Sequence, residues 1–485
     1  MAAPNPQAPP ASSAETRIAD TLAVLFVAVI VVYAASGPIT DFVRWFVEAT
    51  TQGFDELSRR DQRVLMREHW LGAGYRAFER SFLLPTGLII GLPIVFSFAI
   101  SLLTLHKGKA GRVLNWALAL LALAAYVSWI IKIFATDGGA LPSASPIDFV
   151  MFPVATAITL YLTWRMFGGF IVAFCLFWII YFFIRGALPD WTGILAGSDS
   201  TISQSLRAMV LNFWAQTGGQ FGQPLQVVSG SVLIFIVFGA VMMASGAGDL
   251  LMKIANRLTG GLVGGAAHAA VASSALFGTL SGAAISNVVS TGVMTIPVIK
   301  KSGFRPAFAG AVEAAASTGG QVMPPVMGAT AFVMATYLEV PYSEVVIAAV
   351  VPSVLYYLGL FLQIDAYAAR YELRGVPEQD LPSIGDVLRE GWYFIAVFVV
   401  LIIMLLYMQR EAQAPYYATA ALLVINQISA KTRWRGADVL EFIDSVGRLF
   451  AELAAVLAGV GLIIGALMLT GKIGSFAYEL VDLAG

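Results

Sequence analysis

The chain has 485 residues, 58% of them hydrophobic and 12% charged, with a formal net charge of −1 and a mean hydropathy of +0.79. A soluble globular domain carries about 25% charged residues, so this balance excludes that class and predicts an all-α polytopic protein of the lipid bilayer. No basic cluster interleaves with aromatics, which excludes a nucleic-acid partner. The single cysteine, Cys175 in an apolar run, excludes an intramolecular disulfide and a cysteine metal cluster and reads as a buried small hydrophobe.

In chain order, residues 1–16, MAAPNPQAPPASSAET, lack a charged start before an apolar core. They read as a disordered tail, not a cleaved signal peptide. Residues 17–165 read as a four-helix membrane region with spans near 18–35, 82–103, 113–134 and 146–164. Between its first two spans lies the segment 41–80, with seven arginines and seven acids, which suggests an amphipathic helix in the interface. Residues 166–364 follow as a second region: spans near 167–185 and 229–247 flank a polar loop at 186–223, then a hairpin at 264–300, a broken helix at 305–336 and a span near 343–364. The last region, 365–485, opens with the linker DAYAARYELRGVPEQDLPSIGDVLRE and continues with spans near 392–409, 414–429 and 445–470. A shift of 226 residues places Gly239-Ala240 on Gly465-Ala466 and Gly248 on Gly474. That is a trace of an internal repeat restarting after the linker, although glycine is common enough in membrane helices to give such matches by chance.

Charge placement predicts orientation. Six basic groups, at Lys107–Arg112, Arg165, Lys253–Arg257, Lys300–Arg305, Arg370–Arg374 and Lys431–Arg435, all fall on the cytoplasmic side if the N-terminus is inside and the hairpin enters and leaves on one face. The segment 41–80 then lies outside, against the rule. Trp129, Trp164, Trp178, Trp191 and Trp214 read mostly as interfacial belts.

The stretch 264–328 reads GGAAHAAVASSALFGTLSGAAISNVVSTGVMTIPVIKKSGFRPAFAGAVEAAASTGGQVMPPVMG. A spanning helix needs about 20 unbroken apolar residues. Here two apolar arms of about a dozen residues flank a break at Gly278, Thr279, Ser281 and Gly282, which fits a re-entrant hairpin better than one span. The following helix is interrupted at Ser317-Thr318-Gly319-Gly320 and at Pro324-Pro325. Irregular backbone at membrane depth survives only inside protein or along a polar cavity, and paired broken elements point to a transporter's binding site.

The segment FGTLSGAAISNVVSTGVMTIPVIKKSGFRPAFAGAVEAAASTGGQVMPPVMG closely resembles the large-permease motif of tripartite ATP-independent periplasmic (TRAP) transporters. It is most similar to the TAXI branch, in which small and large subunits are fused. A weaker likeness runs from about Leu188 through Arg374, including FGQPLQVVSG at 221–230 and SGAGDLL at 245–251. The resemblance implies an elevator-type fold with two opposed hairpins meeting at the substrate. It also implies a multi-pass protein of the bacterial inner membrane that imports an organic acid (a carboxylate), driven by sodium and delivered by a periplasmic substrate-binding protein. Family members continue into a second hairpin and a second broken helix, so the second inverted repeat is expected to be incomplete here, as in a fragment or one half of a split permease.

Sodium is a hard cation that takes oxygen ligands. The hairpin tip offers Thr279, Ser281, Ser286, Asn287 and carbonyls freed at Gly278 and Gly282; the interrupted helix offers Ser317, Thr318, Gln321 and the carbonyls of 317–320. We assign the ion to Thr279, Ser281, Asn287 and Thr318. The substrate carboxylate falls to Ser281, Gly282, Ser317, Thr318, Gly319, Gly320, Gln321, Pro324 and Pro325, where half-helix N-termini offer partial positive charge and free N–H groups. No other cofactor is expected. Several residues carry a structural reading alongside. Ser273, Ser274, Ser281 and Ser286 also suit close helix packing, and Asn287 also suits hairpin closure. Glu313 is either a functional intramembrane carboxylate or a hydrogen-bonded structural one. His268 reads as core, and Lys300, Lys301 and Arg305 as interfacial anchors. Two rival functions remain: a non-conducting structural or regulatory membrane subunit, and an intramembrane enzyme. Against the enzyme, the chain has no HExxH, and residues 279–282 read TLSG where GxSG would be needed. The lack of GxxxxGK[ST] argues against ATP as the energy source and so against an ATPase subunit as partner.

Overall fold

The computed structural model describes residues 18–25, 86–105, 109–137, 139–189, 201–409, 411, 413–428, 433–434, 436–472, 474, 478 and 481–482. The tail 1–16, the segment 41–80, the first span beyond 25, Trp191, Lys107, Lys431 and Arg435 lie outside them. The described residues are helical and turn, without a strand. In order the helices are α1 (Thr86–Leu103), α2 (Lys109–Asp137), α3 (Asp148–Phe167), α4 (Gly169–Ile184), α5 (Ile202–Phe213), α6 (Leu233–Ala244), α7 (Ala247–Thr259), α8 (Gly265–Ser281), α9 (Ala284–Lys301), α10 (Pro306–Gly319), α11 (Ala329–Leu338), α12 (Tyr342–Arg370), α13 (Ile384–Ile402), α14 (Ala414–Ile428) and α15 (Gly436–Thr470). Segments 110–136, 148–167, 169–187, 342–370 and 445–470 are each long and apolar enough to cross a bilayer. The chain is an all-α polytopic membrane protein.

It divides into two units, one of residues 1–229 and 447–485, the other of residues 230–446. In the first, α1 lies along α2, and the core is aromatic. Phe221 stacks on Trp129 at 3.7 Å and meets Tyr126 and Trp214 edge-on. Trp129 and Trp214 are fully buried and Trp178 nearly so, so these three are core residues, not interfacial belts. The Trp214 indole N–H finds the Asp148 carboxylate at 3.1 Å, a partner that lets a polar ring enter the core. Trp164 is exposed. Cys175 is buried, its thiol 3.4 Å from the Gly459 carbonyl.

The second unit holds the broken elements. Helices α8 and α9 form an antiparallel hairpin, because the Ser274 hydroxyl meets Thr291 at 3.1 Å and the Asn287 amide donates to the Ser274 carbonyl at 2.9 Å. Pro306 starts α10 at its first helical position, where its missing N–H costs nothing. Helix α10 then packs against both hairpin arms, and α12 lies across α8 and α10. Ala267, Ala270, Val271, Ala309, Val312 and Ala316 fill the seam. Their small side chains let the backbones approach closely, the way helices associate where no hydrophobic force drives them together.

Helix α12 starts at an acidic cap. The Glu411 carboxylate accepts the Tyr342 N–H at 2.5 Å, while the Tyr342 hydroxyl donates to the Pro325 carbonyl at 3.1 Å and to that of Val326. One residue thus ties the start of α12 to the irregular segment between α10 and α11. Burial raises the Glu411 carboxyl above its ordinary value of 4.5, against the lowering by the backbone N–H groups of Tyr342 and Ser343. A raised folded value means that the native state holds this proton more tightly. The associated stability is full below the ordinary value and is lost as pH rises through the folded one. Glu411→Gln is therefore expected to flatten the fall of the thermal midpoint in detergent as pH rises above the ordinary carboxylate range; an unchanged slope would show that Glu411 is not the group responsible.

Candidate binding site at two adjoining helix breaks

The hairpin turns at Gly282-Ala283, the far edge of the break expected over Gly278, Thr279, Ser281 and Gly282, and α8 continues through Gly278 and Thr279. Gly282 closes α8 in the left-handed region at φ +60, its N–H on the Gly278 carbonyl at 3.0 Å. A side chain there is doubly excluded, because a Cβ would lie 2.1 Å from the Met327 carbonyl oxygen. Gly278 serves a different purpose. A Cβ on it would come within 2.2 Å of the Gly320 Cα, so two glycines bring α8 and the end of α10 into backbone contact. The second break runs from Gly320 to Gly328 and contains the cis Pro324-Pro325 peptide. Its turns spend the carbonyls of Ser317, Thr318 and Gly319 on the N–H groups of Gly320, Gln321 and Val322 at 3.1–3.2 Å. Those of α9 and α11 that start at the breaks have no side-chain cap. Since Gly282 abuts Met327 and Gly328, two uncapped helix N-termini begin side by side. Their first N–H groups have no partner within the helix, and both carry partial positive charge.

Below this level the three helices are locked by one carboxylate. Glu313 is fully buried. Its Oε1 accepts the hydroxyls of Ser274 at 2.8 Å, of Ser317 at 3.2 Å and of Thr291, and its Oε2 accepts Thr295 at 2.5 Å. Gly292 leaves room for this side chain, since a Cβ there would lie 3.3 Å from the Glu313 Cγ. Four hydroxyls from α8, α9 and α10 therefore converge on one buried carboxyl group, those of Thr291 and Thr295 being shared with the carbonyls of Asn287 and Thr291.

The residues proposed from sequence separate into two layers. Ser317 belongs to the carboxylate cage and is fully buried. Thr279 is 5% exposed, with its hydroxyl on the Leu276 carbonyl at 2.6 Å. Asn287 is 1% exposed; its amide N–H closes the hairpin, and its Oδ1 has no hydrogen-bond partner among the described residues. Thr318 and Gln321 are exposed beside the break, with the Thr318 hydroxyl turned back to the Ala314 carbonyl at 2.7 Å. Gly319 meets the Tyr356 ring, which leaves no space for a Cβ, and Gly320 meets Gly278. The side chains of Ser281 and Ser286 lie outside the described residues. Sequence reasoning missed Thr291, Thr295 and Tyr342, and read Ser274 only as packing. The signal was the four-residue spacing Asn287, Thr291, Thr295, which places three polar groups on one helix face. A cavity of about 200 Å³ lined by Met243, Asp249, Phe277, Ser290, Thr291 and Met294 lies beside the hairpin.

Glu313→Ala leaves the buried Ser274 and Ser317 hydroxyls without their carboxyl acceptor, while Thr291 and Thr295 keep the carbonyls of Asn287 and Thr291. At roughly 1 kcal/mol or more for each orphaned donor the protein should lose thermal resistance in detergent. Glu313→Gln, which still accepts at one oxygen, should lose less. Gly278→Ala should destabilise by about 1–3 kcal/mol through overpacking against Gly320. Equal midpoints for the wild type and all three variants would show that the cage does not hold these helices together.

Comparison with known proteins agrees with this architecture. A stretch of 161 residues is 26% identical to a Salmonella typhimurium protein described as uncharacterized protein YgiK, covering 33% of this chain and 37% of that one. Another of 95 residues is 33% identical to the isethionate TRAP transporter permease protein DctMQ of Oleidesulfovibrio alaskensis, covering 20% of this chain and 15% of that one. A third, of 121 residues, is 29% identical to uncharacterized protein y4mL of Sinorhizobium fredii, covering 25% and 28%. Each match thus spans less than two-fifths of the relative. The profile of the family described as tripartite ATP-independent periplasmic transporter, DctM component, matches residues 149–485, more than two-thirds of the sequence. The chain belongs to that family of transporter permeases.

Proposed function

We propose that this chain is the membrane permease component of a sodium-driven secondary transporter in a bacterial inner membrane. It imports an organic acid delivered by a periplasmic substrate-binding protein, with its N-terminus in the cytoplasm and its small and large subunits fused in the TAXI manner. The observation that carries the reading is the pair of uncapped N-termini of α9 and α11 beside the buried, unpartnered Asn287 Oδ1. A substrate carboxylate accepts from the free N–H groups at the two helix starts. Sodium takes the Asn287 Oδ1, the lone pairs of the Thr279 and Thr318 hydroxyls and nearby carbonyls, all neutral oxygens suited to an ion that must leave again. Gln321, at the open side of the break, meets the rest of the solute. Cation and anion then neutralise each other at one place, which makes the binding of each favour the other and couples their movement. Ser317, Gly319, Gly320 and the proline pair shape this cradle from behind. In the elevator cycle α8–α11 carry it as one body.

The test is uptake of a labelled organic acid into proteoliposomes with the cognate binding protein and an imposed sodium gradient. Asn287→Ala should raise the sodium concentration for half-maximal uptake by about tenfold, the loss of one ligand contact. Thr318→Val, at an exposed position whose removal leaves the fold intact, should shift it in the same direction. Unchanged sodium dependence in both variants would remove the ion assignment, and uptake indifferent to sodium would remove the coupling.

A further inference from the structure

Five cations gather at the end of the second unit opposite the helix breaks. Lys300 and Lys301 close α9, Arg305 caps α10, Arg370 closes α12, and Arg374 lies in the turn that follows. Three contacts bring these termini together: a Cβ on Gly264 would lie 2.6 Å from Ala368 and 3.1 Å from the Phe304 ring, the Gly264 N–H reaches the Leu373 carbonyl at 3.3 Å, and the Phe308 and Tyr367 rings stack at 3.8 Å. All five side chains are exposed, and the one acid of the same turn is Glu372.

The patch has a built centre. The Arg305 guanidinium lies 5.3 Å from the centroid of the Tyr371 ring and that of Arg370 lies 5.9 Å from it, and Tyr371 itself packs on Tyr367 at 4.6 Å. Two like charges held by one ring repel each other, and the cation–π attraction at an exposed site is worth only about 0.5–1 kcal/mol for each. An anion between them would relieve that repulsion. The apolar run of α12 ends before Asp365 and the helix continues to Arg370. That places the guanidiniums and the Tyr371 ring just beyond the end of the apolar stretch, at the level of lipid headgroups. On the bilayer side of the patch Val298 and Leu362 are exposed, an apolar surface for acyl chains.

We infer that Arg305, Arg370 and Tyr371, with Lys300, Lys301 and Arg374 around them, form a binding site for the headgroup of an anionic phospholipid. Guanidinium forks match phosphate oxygens and stack on the tyrosine face, which ammonium groups do not do. Bulk charge asymmetry of loops orients a membrane protein but needs no such arrangement. The site lies at the base of the hairpin, so a lipid held there braces the starts of α8 and α10 against the end of α12.

The test uses the full chain in nanodiscs of phosphatidylcholine with increasing phosphatidylglycerol, the retained lipid being read by native mass spectrometry. The wild type should retain phosphatidylglycerol over phosphatidylcholine. A basic residue near an anionic surface contributes about fivefold in affinity, so Arg305→Gln with Arg370→Gln should weaken retention about 30-fold. Replacing both by Lys keeps the charge and should still weaken it severalfold, because the forks and stacking are lost. Raising salt should weaken wild-type retention, a readout that needs no variant to fold. No preference for phosphatidylglycerol in the wild type, equal retention by the Lys variant, indifference to salt, or full displacement of the lipid by inorganic phosphate would each overturn the proposal.

Discussion

A carboxylate placed inside three packed membrane helices is the constraint from which the rest follows. A polar group buried without partners is costly, and no ion pair reaches Glu313 among the described residues. It is held because Ser274, Thr291, Thr295 and Ser317 all point their hydroxyls at it. Each of these bonds contributes about 1 kcal/mol, and the set forms only if all three helices keep one register. That register sets Gly278 against Gly320 and Gly282 against Met327. The position of both breaks is therefore decided about two turns away from the breaks themselves.

Seen from that constraint, the glycines divide by purpose. Gly282 is required for its dihedral angle, at φ +60. Gly278 and Gly320 are ordinary helical or turn residues required for their missing side chains. A sequence reading that counts all small residues as breakers starts the break too early, although it includes Gly282. The distinction depends on which residue faces another helix, and that information lies 42 positions away.

Much of the architecture was legible because the bilayer imposes a strong rule: backbone groups must bond within their own helix, so spans announce themselves as long apolar runs. The hairpin at 264–300 and the interruption after 317 could be seen for the same reason, as places where the run fails. What could not be seen were partnerships between distant segments. Tyr342 and Glu411 stand 69 positions apart, and neither residue type marks a cap for a helix start on another segment. The buried tryptophans were misread because an indole suits both an interface and a core, and only the presence of Asp148 beside Trp214 decides between them. Of the proposed site, the polar tip was visible and the cage beneath it was not, although Thr291 and Thr295 repeat the spacing of Asn287.

On the proposed sodium-coupled reading, the two layers also answer a problem that any ion-coupled carrier faces. Ligands must be placed firmly enough to select an ion, yet bind it weakly enough to release it. A charged ligand in direct contact with a cation would bind too tightly in a dry interior, since attraction between full charges strengthens as the dielectric falls. Here the Glu313 carboxyl group is occupied by hydroxyls of the protein and serves as the anchor. The groups at the tip are neutral: an amide oxygen without a partner, hydroxyls bonded only to carbonyls of their own helix, and the open ends of α9 and α11. On that reading, rigidity comes from the carboxyl cage, and reversibility from keeping that group out of the ligand set.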